Sequence, residues 1–331
     1  MTKANLSDLV RAQLALTGLA IGDAIGGFFE FSHGKLSHHI ANRSLPNGIW
    51  HWTDDTQMAL SVFTVLRQCS TMDQELFAVS LAQHYEKSRG YGMTTRAVLK
   101  HISQGETWRE ASNAVFGGEG SFGNGGASRV PPLGAFYADD LSQVVEQALL
   151  SAVVTHAHPE SVAGTIAVAV ATALAWQLRS KQEISRKMFL EKSAAYVPKS
   201  EVHEKLIAAC ELEKSVSVQE AASILGNGSK PTAQTIVPFA LWCASDFRQS
   251  FSDAIWTALE GQGDCDTICA IVGGITAMRV GFEGIPATWR ESCEPLPTWI
   301  FENLSGLSLL ERLEKLGRSP EDLNESDANP A

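Results

Sequence analysis

The sequence has no excess of basic residues. Its 26 Lys and Arg residues are outnumbered by 37 Asp and Glu residues, which gives a formal net charge of −11 over 331 residues. Broad, non-specific nucleic-acid binding needs Lys and Arg side chains that face the phosphates, so the composition argues against it. One small anionic ligand is still compatible with this charge, because metals and backbone N–H groups can supply a local positive field.

Cysteine is also scarce, and its spacing excludes the common zinc and disulfide patterns. The six cysteines form no CxxC pair and no regular framework, and HExxH is absent. We interpret them as buried or free thiols in a reducing compartment. The N-terminus lacks a signal-peptide layout, and the longest apolar stretch, 162–176, falls short of membrane-spanning length. We expect a soluble cytoplasmic monomer with no membrane partner.

Strand signals are scarce too, whereas apolar segments of helix length recur along the chain. Short turns containing Gly, Pro or Ser separate them, as in a helix bundle. The pattern predicts an all-α fold: a compact, multi-helix orthogonal bundle over residues 1–317, followed by a disordered acidic tail at 318–331. The predicted helices are 6–29 (interrupted at Gly22-Asp23), 54–69, 73–87, 94–103, 139–154, 160–179, 201–212, 232–245, 250–260 and 265–280.

Two acidic clusters, Thr53-Asp54-Asp55-Thr56 and Asp264-Cys265-Asp266-Thr267, each precede an apolar helical run. Ordinary helix capping explains either cluster alone and is worth about 1 kcal/mol. If both helix starts reach one cleft, four carboxylates converge there, and their repulsion requires compensation. Oxygen ligands favour Mg²⁺ or Mn²⁺ over zinc. The sequence therefore predicts a central cleft with two divalent cations.

A glycine-rich loop at 116–126 lies between the two clusters and contains six glycines. Such a loop can turn successive backbone N–H groups toward a phosphate. Arg129 follows it and is expected to add a charged contact to the anion. Phe116 and Phe122 flank the loop, where an adenine could stack. The alternative is a surface loop with two ordinary core aromatics.

Five short motifs occur in order: Gly22-Asp23-Ala24, Trp52-Thr53-Asp54-Asp55-Thr56, Gly123-Asn124-Gly125-Gly126, Thr155-His156 and Gly263-Asp264-Cys265-Asp266-Thr267. At these motifs the chain resembles the ADP-ribosylglycohydrolase family, which includes the dinitrogenase-reductase-activating hydrolases. The resemblance implies an all-α fold with a binuclear centre of two Mg²⁺, or Mn²⁺ in their place. Three further stretches, at 26–30, 89–92 and 120–126, resemble the branch that contains the vertebrate serine-ADP-ribose and poly(ADP-ribose) hydrolase.

The resemblance also implies roles for individual residues. Glu30 matches the catalytic glutamate next to the metals, and His156 matches a histidine that contacts the substrate. Phe116 and Phe122 match the positions that hold the adenine. The implied metal ligands are Thr53, Asp54, Asp55, Asp264, Asp266 and Thr267, of which Asp54 also contacts substrate. The implied diphosphate-binding loop is Glu119, Gly120, Ser121, Phe122, Gly123, Asn124 and Gly125.

The sequence departs from the family pattern at four positions. Cys265 replaces the usual Thr, Gln262 stands where Gly is common, and Ser128 stands where Met is common. Gly90 occupies the position at which the arginine-specific branch has an essential Asp. We therefore expect hydrolysis of an O-linked, serine-type substrate rather than an arginine-linked one.

The predicted substrate is an ADP-ribosylated protein or an ADP-ribose-containing small molecule, such as poly(ADP-ribose) or O-acetyl-ADP-ribose. An arginine-specific hydrolase is the alternative, and a non-catalytic ADP-ribose-binding protein is a third interpretation. Glu30 could also be the solvated end of its helix, and His156 a structural histidine. The group His33, His38 and His39 is expected to form a mobile loop after Glu30 that could act as a lid.

Overall fold

The computed structural model describes residues 6–31, 36–181 and 183–301, and these residues form helices and turns with no strand. The all-α prediction is confirmed. The α-helices are α1 Leu6–Phe31, α2 Leu36–Asn42, α3 Asp54–Cys69, α4 Gln74–Gln83, α5 Met93–Ser103, α6 Trp108–Ala114, α7 Gly125–Ser128, α8 Pro131–Phe136, α9 Leu141–Val153, α10 Pro159–Leu178, α11 Arg186–Ala194, α12 Glu201–Glu211, α13 Val218–Leu225, α14 Ala233–Ala244, α15 Phe251–Glu260, α16 Cys265–Val280 and α17 Ala287–Ser292. Short 3₁₀ turns lie at Lys87–Arg89, Val115–Gly118, Phe282–Gly284 and Thr298–Phe301.

Helices α1 and α16 pack closely along a row of glycines. A Cβ atom added to Gly22 would lie 2.0 Å from the carbonyl oxygen of Cys269, and one added to Gly26 would lie 2.2 Å from that of Cys265. Glycine is therefore needed because the two backbones touch. The predicted interruption of the first helix at Gly22-Asp23 is wrong: α1 continues through it, and the glycine serves the packing instead.

Side-chain caps define several helix starts. Thr53 accepts a hydrogen bond from the Asp55 N–H at the start of α3. Capping boxes begin α6 and α13, where Thr107 and Ser217 each exchange hydrogen bonds with a glutamate three residues later. The Thr53 cap agrees with the predicted start of the helix at 54–69.

Four helices of seven to nine residues, α2, α6, α11 and α13, were not expected. They are short, so hydrophobic periodicity gives little signal over their length. Helix α2 contains His38 and His39, so the expectation of a mobile loop is wrong for these two residues. The His39 ring packs edge-on against Phe29 at 5.6 Å. His33 and the predicted tail at 318–331 lie outside the described residues.

Two helices, α1 and α10, are long and apolar enough to cross a membrane by length and composition alone. The apolar stretch 162–176 was expected to be too short to span a membrane. That expectation is wrong for α10, because the helix extends beyond this stretch at both ends. However, 78% of the apolar window in α1 and 83% of that in α10 are buried inside the protein. Both are accordingly core helices, packed against α16 and α9 respectively. The six cysteines are all free thiols, as expected.

Candidate metal centre and adjoining loop

Carboxylates from three helices converge where α1 passes the N-termini of α3 and α16. Oxygen atoms of Asp23, Asp55 and Asp266 lie within 4.8 Å of one another. A second group, Glu30, Asp264 and Asp266, meets the same criterion and shares Asp266 with the first. The structure thus brings both acidic clusters of the sequence, and Glu30, into one site.

The carboxylates differ in exposure. Asp23 and Asp55 are buried, Asp54, Asp264 and Asp266 are half-buried, and only Glu30 is exposed. Burial, together with the nearby charges of Asp23 and Asp264, raises the pKa of Asp54 to about 8. Burial and a neighbouring carboxylate also raise the pKa values of Asp55 and Asp266 well above their usual range. Crowding of this kind favours a cation as counter-charge.

One oxygen of this site has no partner within the described chain. Ser128 donates a short hydrogen bond to Oδ1 of Asp55, whereas Oδ2 is buried and accepts none. A buried carboxylate oxygen without a donor is costly, and a cation would compensate for it. The implied metal ligands around this oxygen are all carboxylate or hydroxyl oxygens, which suit Mg²⁺ or Mn²⁺. The residues present therefore fit a divalent metal centre.

The hydroxyls of the implied ligand set already make contacts. The Thr53 hydroxyl donates to Asp23 Oδ1 at 2.7 Å, and the Thr267 hydroxyl accepts from Asn124 at 3.1 Å. Both threonines are buried beside the carboxylates, at 6% and 4% exposure. All six implied ligands thus lie at the site, on the first turns of α3 and α16 or immediately before them.

Asp23 is a site residue to which the sequence analysis gave no role. Its Oδ2 accepts from the N–H of Thr53 at 2.9 Å and from the N–H and hydroxyl of Thr56 at 3.0 and 2.5 Å. Although its oxygens lie near Asp55 and Asp266, these bonds occupy it, and we interpret it as the residue that fixes the start of α3. The sequence feature that could have indicated a role for Asp23 is its position as a lone carboxylate within an apolar helical run.

Ser128 is a second residue that sequence reasoning missed. It was noted only as a departure from the family pattern, yet its hydroxyl orients Asp55. The other departure with a structural explanation is Gln262, whose φ of 54° lies in the left-handed region. This conformation favours glycine, which accounts for the glycine common there.

The glycine-rich loop adjoins this centre through Asn124. The Asn124 amide donates to Asp264 Oδ2 at 3.0 Å and to the Thr267 hydroxyl at 3.1 Å. At the other end of the loop, Gly117 and Gly118 have positive φ and open space around them. The loop therefore presents exposed backbone at one end and contacts the acidic cluster at the other.

Two aromatic rings mark the exposed end of the loop. Phe116 is 47% exposed, and its ring centroid lies 4.5 Å from that of Phe122. Rings at this distance touch, so no third ring fits between them. Between them in sequence, Glu119 is exposed, whereas Gly120 and Ser121 are buried.

Arg129 does not face the loop. It is fully buried, and its guanidinium donates to the Thr155 hydroxyl at 2.7 Å and to the Ser151 carbonyl at 2.6 Å. The predicted contact between Arg129 and an anion is therefore wrong, because its donors point into the core. Burial lowers the pKa of Arg129 to about 9.

Arg129 instead determines the hydrogen bonding of His156. Because the Thr155 hydroxyl accepts from Arg129, its own hydrogen is free for His156 Nδ1, which lies 2.7 Å away. Burial and the Arg129 charge lower the pKa of His156 to about 3, so the ring is neutral. Nδ1 then accepts, and Nε2 carries the hydrogen. Nε2 lies beside the loop, about 3.2 Å from where a Cβ of Gly125 would stand.

His158, two residues after His156, has a structural role. Its Nδ1 accepts from the N–H of Glu160 and thereby caps α10. Its ring also contacts Phe122 edge-on at 5.7 Å. His156, by contrast, places Nε2 beside Gly123 and Gly125 of the loop.

Gly90 lies on the opposite border of the acidic cluster. A Cβ atom at this position would stand 3.8 Å from Asp54 Oδ1, and φ is +90°. A side chain at residue 90 would therefore face Asp54. The position at which the arginine-specific branch is expected to have an Asp is therefore within reach of the acidic cluster.

Comparison with known proteins agrees with this geometry. A family model described as ADP-ribosylglycohydrolase matches residues 3–322. ADP-ribosylhydrolase ARH3 from Homo sapiens is 30% identical, over 86% of this chain and 90% of the relative. ADP-ribosylhydrolase ARH3 from Danio rerio is also 30% identical, over 86% of this chain and 87% of the relative.

Two further matches are more distant. ADP-ribosylarginine hydrolase Tri1 from Serratia proteamaculans is 27% identical, over 86% of this chain and 75% of the relative. A solved structure described as an ADP-ribosylglycohydrolase-related protein complex has a TM-score of 0.63 at 22% identity, covering 87% of this chain and 93% of that one. That structure supports the fold alone. Since the family model spans nearly the whole sequence, the chain belongs to the ADP-ribosylglycohydrolase family and is an ADP-ribosyl hydrolase.

Proposed function

We propose that the protein is a Mg²⁺-dependent hydrolase that releases ADP-ribose from O-linked, serine-type modified protein. The observation that carries the proposal is that Asn124 connects the carboxylate cluster to the glycine-rich loop. A carboxylate cluster with an orphaned Asp55 oxygen lies on one side, and a glycine-rich loop lies on the other. Such a site suits a ligand with a diphosphate at one end and a sugar at the other.

The acidic cluster would hold two divalent cations through Thr53, Asp54, Asp55, Asp264, Asp266 and Thr267. When bound, the cations would orient the ribose hydroxyls and supply a Lewis acid. Glu30 is the exposed carboxylate beside Asp264 and Asp266, so it can exchange protons with solvent and substrate. We assign Glu30 as the general acid or base at the scissile bond.

The loop would hold the ADP moiety. The segment from Glu119 to Gly125 would bind the diphosphate, and His156 Nε2, which lies beside Gly123 and Gly125, would donate to it. The adenine stacks on the exposed side of Phe116, because Phe116 and Phe122 are in contact with each other. Binding energy from this remote part positions the scissile bond.

Gly90 supports the O-linked assignment. An arginine-linked substrate presents a cationic leaving group, which a carboxylate at this position would neutralise. Gly90 supplies no such carboxylate. Asp54 Oδ1 lies 3.8 Å from its Cβ position. Poly(ADP-ribose) has the same O-glycosidic type of linkage as the expected serine-type substrate, whereas O-acetyl-ADP-ribose would be cleaved at an O-acyl ester.

The arginine-specific alternative has one supporting observation. The relative from Serratia proteamaculans is named an ADP-ribosylarginine hydrolase and matches 86% of this chain. A non-catalytic ADP-ribose-binding protein would need neither Glu30 nor the cation-ready Asp55 oxygen. The six free thiols fit a reducing compartment, and we propose the cytoplasm.

The test is ADP-ribose release from serine-modified and arginine-modified proteins, with Mg²⁺ and with EDTA. Mg²⁺-dependent release from serine alone supports the proposal, and release from arginine alone replaces it with the alternative. A Glu30→Gln variant should abolish turnover while ADP-ribose binding, measured by calorimetry, persists. Full activity in that variant would contradict the role of Glu30.

A further inference from the structure

A groove of about 630 Å³ opens beside the acidic cluster, and none of its lining residues belongs to the glycine-rich loop. Its lining comes from α1, from residues 46–53, from the turn at 86–90 and from Glu294. Phe28, Pro46, Ile49 and Trp52 supply apolar surface. The volume lies within the range of about 300–1,000 Å³ that is usual for ligand sites.

The groove and the loop reach the cluster through different residues. Gly27, Thr53 and Gly90 line the groove. A Cβ on Gly27 would stand 2.9 Å from Thr53 Cγ2, and one on Gly90 would stand 3.8 Å from Asp54 Oδ1. The loop, by contrast, contacts Asp264 and Thr267 through Asn124. A substrate that spans the cluster therefore has one end in the loop and the other in the groove.

The groove wall is held in place before any ligand binds. Arg89 stacks on the Trp52 ring at 3.4 Å and donates to both carboxylate oxygens of Glu294 at 2.8 Å. It also donates to the Trp52 carbonyl at 2.9 Å. Backbone hydrogen bonds between Trp50 and residues 292 and 294 close the same wall. A preformed wall reduces the ordering cost of binding.

The charge of the groove disfavours the diphosphate as its occupant. Glu86 and Glu294 contribute two carboxylates, and Arg89 is engaged with both, at 3.5 Å from Glu86 and 2.8 Å from Glu294. His51 also lines the groove, with Nδ1 at 3.0 Å from Glu294, and with this histidine neutral the two carboxylates and one guanidinium leave one net negative charge. An anionic diphosphate would be repelled here, whereas Lys or Arg side chains would be attracted.

We propose that this groove binds the polypeptide segment that carries the ADP-ribosyl group, and that it prefers a segment with basic residues near the modification. The proposal rests on the proposed function, since it assigns the leaving-group end of the same substrate. The apolar wall accommodates the peptide backbone and short apolar side chains, and Glu86 faces flanking cations. Gly90 lies at the junction, where the modified side chain would enter the cluster.

The experiment compares two substrates with the same scissile bond: a serine-ADP-ribosylated basic peptide and free ADP-ribosyl-serine. The variant Ser88→Trp fills the groove, because Ser88 is an exposed lining residue. We expect kcat/KM to fall at least tenfold more for the peptide than for the small substrate. Ser215→Trp is the matched control: Ser215 is an exposed serine in the turn before α13. This control variant should leave kcat/KM nearly unchanged for both substrates.

A charge variant tests the preference independently. Glu86→Lys should lower kcat/KM for the basic peptide about tenfold and raise it for an acidic peptide of equal length. If wild type hydrolyses both substrates but Ser88→Trp changes them by the same factor, the groove assignment is overturned. If wild type hydrolyses neither substrate, the proposed function itself fails, so the two failures are distinguishable. Activity toward the small substrate also reports that each variant has folded.

Discussion

The Asn124 amide donates to Asp264 at 3.0 Å and to Thr267 at 3.1 Å, so one side chain of the glycine-rich loop orients two implied metal ligands. Partners that orient ligands in this way are commonly as important as the ligands themselves. Through Asn124 the loop thus contacts two residues of the acidic cluster directly.

Asn124→Ala should therefore weaken the metal centre without removing a ligand. We expect the Mg²⁺ concentration needed for half-maximal activity to rise about 10- to 100-fold, the usual range for such partners. Titration of activity with Mg²⁺ measures the change. Asn113→Ala, at an exposed asparagine in α6, is the control and should leave the titration curve in place. An unchanged curve for both variants would show that Asn124 has no such role.

Asp55 predicts a thermal signature of metal binding. Mg²⁺ at 100 times its Kd should stabilise the wild type by about 2.7 kcal/mol, because only the folded state binds it. Asp55→Asn should lose most of this gain, since it removes an anionic ligand. Without metal, the variant should melt at a higher Tm than the wild type, because one buried like charge is gone. Calorimetry with Mg²⁺ and with EDTA measures both effects.

A Mg²⁺-induced rise in Tm that is equal in both proteins would contradict the ligand role of Asp55. Asp73→Asn is a suitable control. Asp73 caps α4 and is not part of either carboxylate group. It should change Tm little, because Asn caps a helix about as well as Asp, and it should keep the full stabilisation by Mg²⁺.

The Thr155 hydroxyl fixes the tautomer of His156. Thr155→Val keeps the shape of the side chain but removes the hydrogen that Nδ1 accepts. We expect the ring to populate both neutral tautomers, which ¹⁵N chemical shifts of His156 report directly. The KM of the substrate should rise about tenfold, equivalent to one lost hydrogen bond of about 1.4 kcal/mol, with a smaller change in kcat. Thr155→Ser should restore both readouts.

Most of this site follows from short-range patterns, and the remainder depends on the tertiary fold. The cap-like clusters at 53–56 and 264–267 indicated two helix starts, which the structure has. The role of Asp23 could not be derived in the same way, because its four hydrogen bonds go to residues 30 and 33 positions away. Arg129 was wrongly assigned because a local pattern does not show whether a side chain points into the core.

His156 also predicts a pH dependence of stability. Its pKa is about 3 in the folded protein and 6.5 when unperturbed, so between these values the unfolded state binds the extra proton. Its contribution to stability is therefore complete above pH 6.5 and is lost as the pH falls toward 3. From pH 7 to pH 5, wild type should lose about 2 kcal/mol more of its unfolding free energy than His156→Asn does.

Urea unfolding at both pH values measures this difference. The comparison concerns the change with pH, so a general loss of stability in His156→Asn does not affect it. The carboxylates of the metal centre are present in both proteins, and their contribution cancels. Equal losses in the two proteins would show that His156 is not held neutral by its surroundings.

The contact between α1 and α16 predicts a large effect of a single methyl group. Gly22→Ala would place its Cβ atom 2.0 Å from the Cys269 carbonyl, so the two backbones must separate. Overpacking costs about 1–3 kcal/mol or more, and the separation would also move Asp23 relative to α3. We expect a lower Tm together with weaker Mg²⁺ binding. Gly92→Ala is the matched control, because nothing lies within 4 Å of its Cβ position and its φ is −62°. A Gly22→Ala variant with wild-type Tm would show that α1 and α16 can move apart freely.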